Sequence, residues 1–249
     1  MKQIQSQQNP KFKEWRKLKQ RKWREKTGRY LVEGEHLVQE ALNAGGIVET
    51  LLVNEAGSFS SWSGDTDIYQ LSPPLFQLLA DTETPQGVLA VCRVSKESHT
   101  KAGRRFLLID GVQDPGNLGT MIRTADAAGI DQVYLGTGCV DLFNDKVLRS
   151  AQGSHFHLPV IRKHLPAVIA DLHEREIPVY GTSLDGIPLG AVTRPVPAFA
   201  IILGNEGSGV DPELLKLTDA NIKIPMYGQA ESLNVAVAAG ILMYVLRGL

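Results

Sequence analysis

Cysteine is nearly missing from this chain: two residues of 249, Cys92 and Cys139, far apart in the sequence. Such a pair excludes a disulfide scaffold and a four-cysteine zinc site. Each thiol reads as a small buried side chain before it reads as a nucleophile. Long apolar runs are missing too. The longest, Val235 to Leu246, contains Gly240 and falls well short of the ~20 residues that a membrane span needs. The stretch up to Arg29 is charged throughout and does not read as a secretory signal. The expectation is a soluble, cytoplasmic protein with no membrane partner. Several chemical signatures are equally absent: the GxGxxG dinucleotide fingerprint, the Gly-Lys-Ser/Thr phosphate loop and the Gly-x-Ser-x-Gly elbow. His155 and His157 flank Phe156 without a third ligand at useful spacing, so no metal is expected.

What is present suffices for a real core, since 43% hydrophobic against 21% charged residues excludes global disorder. The length suits one or two domains of ~100–200 residues each. A net charge of -1 conceals a strong asymmetry. From Met1 to Arg29, eleven lysines and arginines face only Glu14 and Glu25, net +9, which leaves −10 on the remainder. A basic block on an acidic body is the footprint of an end that meets a polyanion. The plain alternative is a solvated Lys-rich face. Here aromatic residues are interleaved with the charge. At ~100° per residue, Phe12, Trp15, Leu18 and Trp23 share one broad helical face, expected to pack on its own domain and leave the basic side to phosphates. A nucleic acid ranks above an anionic membrane as the partner.

Short β-rich runs alternate with helical ones. Tyr30–Glu33, Val48–Val53, Ile68–Leu71 and Val88–Val94 read as strands, with helices at Glu35–Ala44 and Pro74–Ala80. Ser95 to Arg104 is polar and aperiodic, the best linker candidate. Beyond it, Phe106–Ile109, Val133–Leu135, Pro178–Tyr180 and Phe199–Leu203 are continuous apolar runs. Helices are expected between them near Leu118–Ala128, Asn144–Ala151, His164–Arg175 and Pro212–Leu217. Continuous strands separated by helices predict an α/β fold with a mostly parallel sheet covered on both faces. The division is a small α/β domain over 1–98 and a larger one over 105–249.

Three segments at strand ends carry the unusual chemistry. In the first, the strand at Leu107 runs into Asp114-Pro115-Gly116, with Asn117 expected as a helix N-cap and Arg123 six residues on. In the second, Leu203 leads into glycines at 204, 207 and 209, which free the backbone for close approach, with Glu206 in an odd place for a carboxylate unless it accepts hydrogen bonds. In the third, a short strand ends at Pro225, a polar loop follows, and Ser232 is expected to begin a helix that is apolar nearly all round. Such a helix must be buried in the core or against a second subunit.

Together these segments resemble the SpoU (TrmH-like) family of RNA 2′-O-ribose methyltransferases, within the SPOUT superfamily. The resemblance lies in Asp114-Pro-Gly-Asn-Leu-Gly with Ile122-Arg-Thr-Ala-Asp126, in Leu203-Gly-Asn-Glu-Gly-Ser-Gly-Val210, and in Ile224-Pro-Met with Glu231-Ser-Leu-Asn-Val235. It covers Phe106 to the C-terminus. The N-terminal half is similar to the family's ribosomal-protein-L30e-like substrate-binding domain, through Tyr30-Leu-Val-Glu-Gly and Thr84-Pro-Gln-Gly-Val-Leu-Ala.

The resemblance implies a catalytic domain whose C-terminal chain threads a deep trefoil knot, which no composition argument would show. It implies a homodimer, and S-adenosylmethionine bound at Leu203, Gly204, Ile224, Met226 and Leu233, largely through the backbone. It assigns the activating role to Arg123. A guanidinium is a poor base, so Arg123 is read as holding the RNA phosphate and polarising the 2′-oxygen, with deprotonation left open. Asn117 and Glu206 would fix Arg123 and the ribose, and Ser232 and Asn234 would complete the floor. Ribosomal RNA of the large subunit is favoured as substrate. A transfer-RNA 2′-O-methyltransferase and a non-catalytic RNA-binding or ribosome-assembly factor are the alternatives.

Overall fold

The computed structural model describes residues 1–55, 66–94, 103–192 and 195–248. The chain divides into two units, one of Met1–Glu97 with Phe143–Phe156, the other of Ser98–Leu142 with His157–Leu249. Of the expected linker, residues 95–102 lie outside the described residues.

The first unit begins with β1 (Lys2–Ile4), α1 (Pro10–Lys17) and α2 (Arg21–Thr27). It continues through β2 (Arg29–Glu33), α3 (Glu35–Asn43), β3 (Val48–Asn54), β4 (Asp67–Leu71), α4 (Pro73–Leu79) and β5 (Val88–Arg93). The sheet order is β1-β4-β3-β5-β2. β5 is antiparallel to both its neighbours, and the other pairs are parallel. Alternation along β5 builds two cores. Leu89 and Val91 pack with Phe12, Trp15 and Leu18 and with Leu75, Phe76 and Leu79 of α4. Val88, Ala90 and Cys92 pack with Leu37, Val38 and Ala41 of α3.

The basic segment is two helices rather than one. Asn9 caps α1 through its side chain, and α2 ends on Gly28 in the left-handed conformation. Phe12, Trp15 and Leu18 are buried as expected, but Trp23 is only half-buried and does not join them. The break after Leu18 rotates α2, so that Arg24 turns inward instead. Its guanidinium donates to the carbonyls of Leu18 and Lys19 at 2.8 and 3.0 Å, satisfying groups at the end of α1.

The second unit opens with β6 (Arg105–Ile109), α5 (Pro115–Ala127) and β7 (Gln132–Leu135). The chain then enters α6 (Asp145–Ala151) and α7 (Ser154–His157). Phe143 to Phe156 belong to the first unit, where Leu148 is buried among Leu37, Val38 and Cys92, and Phe143 lies 4.3 Å from Tyr30 between ring centres. This differs from an unbroken domain over 105–249: the apolar residues of α6 complete the α3 face of the first sheet.

Back in the second unit follow β8 (Val160–Arg162), α8 (Leu165–Glu174), β9 (Val179–Pro188) and β10 (Phe199–Leu203). The chain closes with α9 (Pro212–Leu215), β11 (Ala220–Lys223) and α10 (Val235–Arg247). The sheet order is β11-β9-β10-β6-β7-β8, parallel throughout. On one side, Leu165, Ile169 and Leu172 of α8 cover Phe106, Leu108, Ala200 and Ile202. α10 packs on α5 and β10. From β6 the chain proceeds to β7 on one flank, while β10 lies on the other. In parallel sheets ligands bind beyond the strand ends where the order reverses in this way, here past Ile109 and Leu203.

Candidate active site

The loop after β6 turns at Gly111, whose φ of +68° suits glycine. It then reaches Asp114-Pro115. Proline pre-sets the first helical residue, and the Asp114 carboxylate accepts the Asn117 N–H at 2.8 Å, so Asp114 caps α5. Asn117 was expected in that role. Standing one turn inside the helix instead, it keeps its side-chain amide for other partners.

After β10 the chain folds back on itself. Asn205 and Gly209 exchange backbone hydrogen bonds of 2.9 and 3.0 Å. A Cβ on Gly204 would fall 2.1 Å from the Gly209 carbonyl carbon, so only glycine fits there. The Asn205 side chain fastens the turn: its oxygen accepts from the N–H groups of Gly207 and Ser208, and its nitrogen donates to the Gly111 carbonyl at 2.8 Å. Sequence reasoning missed Asn205, although an Asn opening a Gly-Ser-Gly turn is the signal for such a loop.

The fastened turn presents Glu206 to the start of α5. Its carboxylate accepts from the backbone of Gln113 at 3.3 Å, from that of Asp114 at 3.1 Å, and from the Asn117 amide at 3.1 Å. Burial alone would push this carboxyl up. The hydrogen bonds from Asn117, from its own backbone and from Asp114 and Gln113 together outweigh it and hold the pKa below the ordinary carboxylate value. The carboxylate therefore does accept hydrogen bonds, as its position in the turn required.

Asn117 uses its other end on the third segment, accepting from the Asn234 amide at 2.9 Å. Asn234 in turn caps α10, its oxygen accepting from Ala236 and Val237 at 2.9 and 3.3 Å. The helix thus starts at Val235, not at Ser232, because Asn234 supplies the cap. Glu206, Asn117 and Asn234 form one continuous chain of side chains drawn from all three segments. Ser232 lies exposed in the loop before it. Arg123 is exposed on α5 and makes no hydrogen bond or ion pair among the described residues, so neither Asn117 nor Glu206 fixes it.

The residues expected to hold a cofactor lie beside this chain in sequence and element. Leu203 and Gly204 are buried at the end of β10, Ile224 and Met226 are half-buried, and Leu233 is 36% exposed. From Met226 to Leu233 no backbone–backbone hydrogen bond is made among the described residues, which leaves main-chain donors and acceptors for a ligand.

Burial pushes the thiols of both Cys92 and Cys139 up, away from the reactive thiolate. The His155 ring packs on Phe156, whereas His157 reaches Asp126 at 3.4 Å. No group of three His, Cys, Asp or Glu able to hold a metal occurs among the described residues. No helix among them is long and apolar enough to cross a membrane.

A parallel sheet with three strand-end loops meeting through a carboxylate and two amides defines a class of α/β proteins whose ligand sits at the switch point. The comparisons narrow this class. The model of the SpoU rRNA methylase family matches residues 104–244, and that of the MRM3-like substrate binding domain matches 9–90. The chain belongs to the SpoU rRNA methylase family. It is 54% identical over 252 residues, with all of both chains covered, to the 23S rRNA (guanosine(2553)-2′-O)-methyltransferase RlmP of Bacillus subtilis. It is 31% identical to the 23S rRNA (uridine(2479)-2′-O)-methyltransferase of Streptomyces viridochromogenes, covering 95% of this chain and 88% of the relative. Among solved structures, the SpoU methyltransferase AviRb from Streptomyces viridochromogenes in complex with AdoMet superposes with a TM-score of 0.86 at 29% identity, covering 95% and 96% of the two chains.

Proposed function

We propose that this protein methylates a ribose 2′-oxygen of 23S ribosomal RNA, using S-adenosylmethionine. The observation that carries the reading is the Glu206–Asn117–Asn234 chain beside the Gly204 turn, with Arg123 left unpartnered on the helix that holds Asn117. Whole-length likeness to a 23S ribosomal RNA 2′-O-methyltransferase supports it.

The residues present fit the cofactor. Ile224, Met226 and Leu233 offer apolar surface beside the buried Leu203 and Gly204, and the loop from Met226 to Leu233 makes no backbone–backbone hydrogen bond among the described residues. When bound, S-adenosylmethionine supplies a methyl group on a sulfonium that already leaves readily. The protein must then place the 2′-oxygen in line and ease departure of its proton. Arg123 is assigned to the phosphate and 2′-oxygen, its charge directed at the developing alkoxide. Asn117, Glu206 and Asn234 orient the ribose, with Ser232 at the rim of the same site. Because Arg123 is not paired to Glu206, the guanidinium is free to turn to the RNA.

The finer reading is a trefoil-knotted second unit, an L30e-like substrate-binding first unit, and a cytoplasmic homodimer. Val237 on α10 is 51% exposed, and a second copy packed on that helix would cover it. The functional test is mapping of 2′-O-methyl groups in ribosomal RNA from a deletion strain, together with methyl transfer to that RNA by the purified protein. One ribose of 23S RNA should lose its methyl group in the strain and regain it in vitro. Transfer confined to transfer RNA would overturn the substrate assignment.

A further inference from the structure

Trp23 stands apart from the other aromatic residues of its segment. Phe12 and Trp15 are buried at 0% and 3% exposure, whereas Trp23 is half-buried on α2. The Lys17 ammonium lies 4.5 Å and the Lys26 ammonium 5.0 Å from the centre of its ring. On the same two helices Lys13, Arg16, Lys17, Lys22 and Lys26 are exposed, and none has a carboxylate partner among the described residues. The two acids of the segment are already engaged, Glu14 with Arg29 at 3.6 Å and Glu25 with Arg21 at 2.8 Å. Lys19 is held by Asp81 at 2.8 Å.

Five uncompensated cations attract a polyanion. An anionic bilayer would ask for an apolar helix face to insert, and that face is spent, since Phe12, Trp15 and Leu18 are in the core. An aromatic face attended by two ammonium groups suits an unpaired nucleotide instead. The base stacks on the indole and the lysines move to the flanking phosphates. We propose that Trp23 is the stacking platform for an unpaired base of the RNA substrate, with Lys17 and Lys26 on the adjoining phosphates. This rests on the proposed function for the identity of the polyanion as RNA.

The test uses the full chain with a short unpaired RNA oligonucleotide, the same sequence as a duplex, and phosphatidylglycerol vesicles. The chain has three tryptophans, so Trp23→Phe removes one emitter while keeping a ring. The unpaired RNA should quench the wild-type emission more than that of Trp23→Phe. Trp23→Ala should bind it roughly 5- to 100-fold more weakly, with Trp23→Phe restoring most of the loss. Its salt dependence should be unchanged, whereas Lys17→Ala with Lys26→Ala should lower the slope by roughly 0.7 for each lysine. A far-UV circular dichroism spectrum and a melting temperature equal to those of wild type would show that these variants are folded, the first unit included. The proposal is overturned if Trp23→Ala binds the unpaired strand as wild type does, if the duplex binds equally tightly, or if vesicles and not RNA change the emission. Wild-type protein that shows the quenching yet transfers no methyl group would refute the proposed function and leave this site standing. Methyl transfer by Trp23→Ala with an unchanged KM for RNA would refute this site alone.

Discussion

Asn117 is engaged at both ends of its amide, donating to Glu206 and accepting from Asn234, so its orientation is fixed without help from substrate. Asn117→Asp preserves the shape but sets a second carboxylate against the first. Like charges raise each other's pKa, and only the protonated pair keeps a donor for the Asn117–Glu206 hydrogen bond, so the activity of this variant should fall as pH rises through the raised pKa, a loss that wild type lacks. In the wild type, Glu206 is held below its unfolded value, so its contribution to stability is present above the unfolded pKa and lost as pH falls through the native one. Thermal melts of wild type and Glu206→Gln should therefore converge as the medium is acidified below the usual carboxylate range, and a gap persisting there would refute the assignment. Arg123 has no such partners to lose. Arg123→Ala should leave cofactor affinity within a few-fold, while single-turnover methyl transfer drops on the order of 100-fold or more. Near-normal transfer by this variant would remove Arg123 from the chemistry and make Glu206 the next residue to examine.

At the scale of elements, helix starts and chain reversals decide where these groups stand. Gly204→Ala would drive a Cβ into the backbone at Gly209 and Val210, beyond what side-chain adjustment can relieve. It should cost about 1–3 kcal/mol or more in unfolding by denaturant and weaken cofactor binding in the folded remainder. The basic helices must be probed by charge and not by removal. Deleting residues up to Arg29 would also strip Phe12, Trp15 and Leu18 from the core. Reversing Lys13, Arg16 and Lys22 should instead flatten the salt dependence of RNA binding while leaving the melting temperature nearly unchanged, and an unaltered slope would make the face merely solvated. Most strands and helices were legible because their apolar runs or periods are strong, the runs at Val88–Arg93 and Phe199–Leu203 being almost unbroken. The three-residue strands Lys2–Ile4 and Val160–Arg162 were not, being too short and too polar to show a period. The N-cap at Asp114 was misplaced because Asp, Pro, Gly and Asn in succession all favour a helix start, and only the turn at Glu206 claims Asn117 away from it.

For the whole molecule, composition and charge asymmetry pointed to one end that meets a polyanion and another that carries a parallel sheet. The motif order pointed to the family. The side-chain chain linking Glu206, Asn117 and Asn234 was legible only as three separate residues, since nothing in sequence spacing brings positions so far apart within 3.1 Å. Assembly is the remaining property at this scale. α10 buries Ala236, Ala239, Leu242, Met243 and Leu246, while Val237 stays half exposed. Light scattering should give about twice 27.2 kDa, and Val237→Asp should shift the protein towards half that mass. A wild type that remains monomeric at micromolar concentration would refute the proposed homodimer.

The return of residues Phe143 to Phe156 to the first unit has a consequence for how the protein is made. A ribosome delivers the chain from the N-terminus, and domains ordinarily fold in that order. Here the first unit cannot close the α3 side of its sheet when Arg93 emerges, because Phe143, Leu148 and Phe156 have yet to be synthesised. β6, α5 and β7 come out in between. Nascent chains long enough for Glu97 to have left the exit tunnel, but with Phe143 to Phe156 not yet emerged, should therefore be cut by protease within the first unit. Chains arrested far enough beyond Phe156 for that residue to leave the exit tunnel should resist. The segment that translation begins is finished only after the second unit has started.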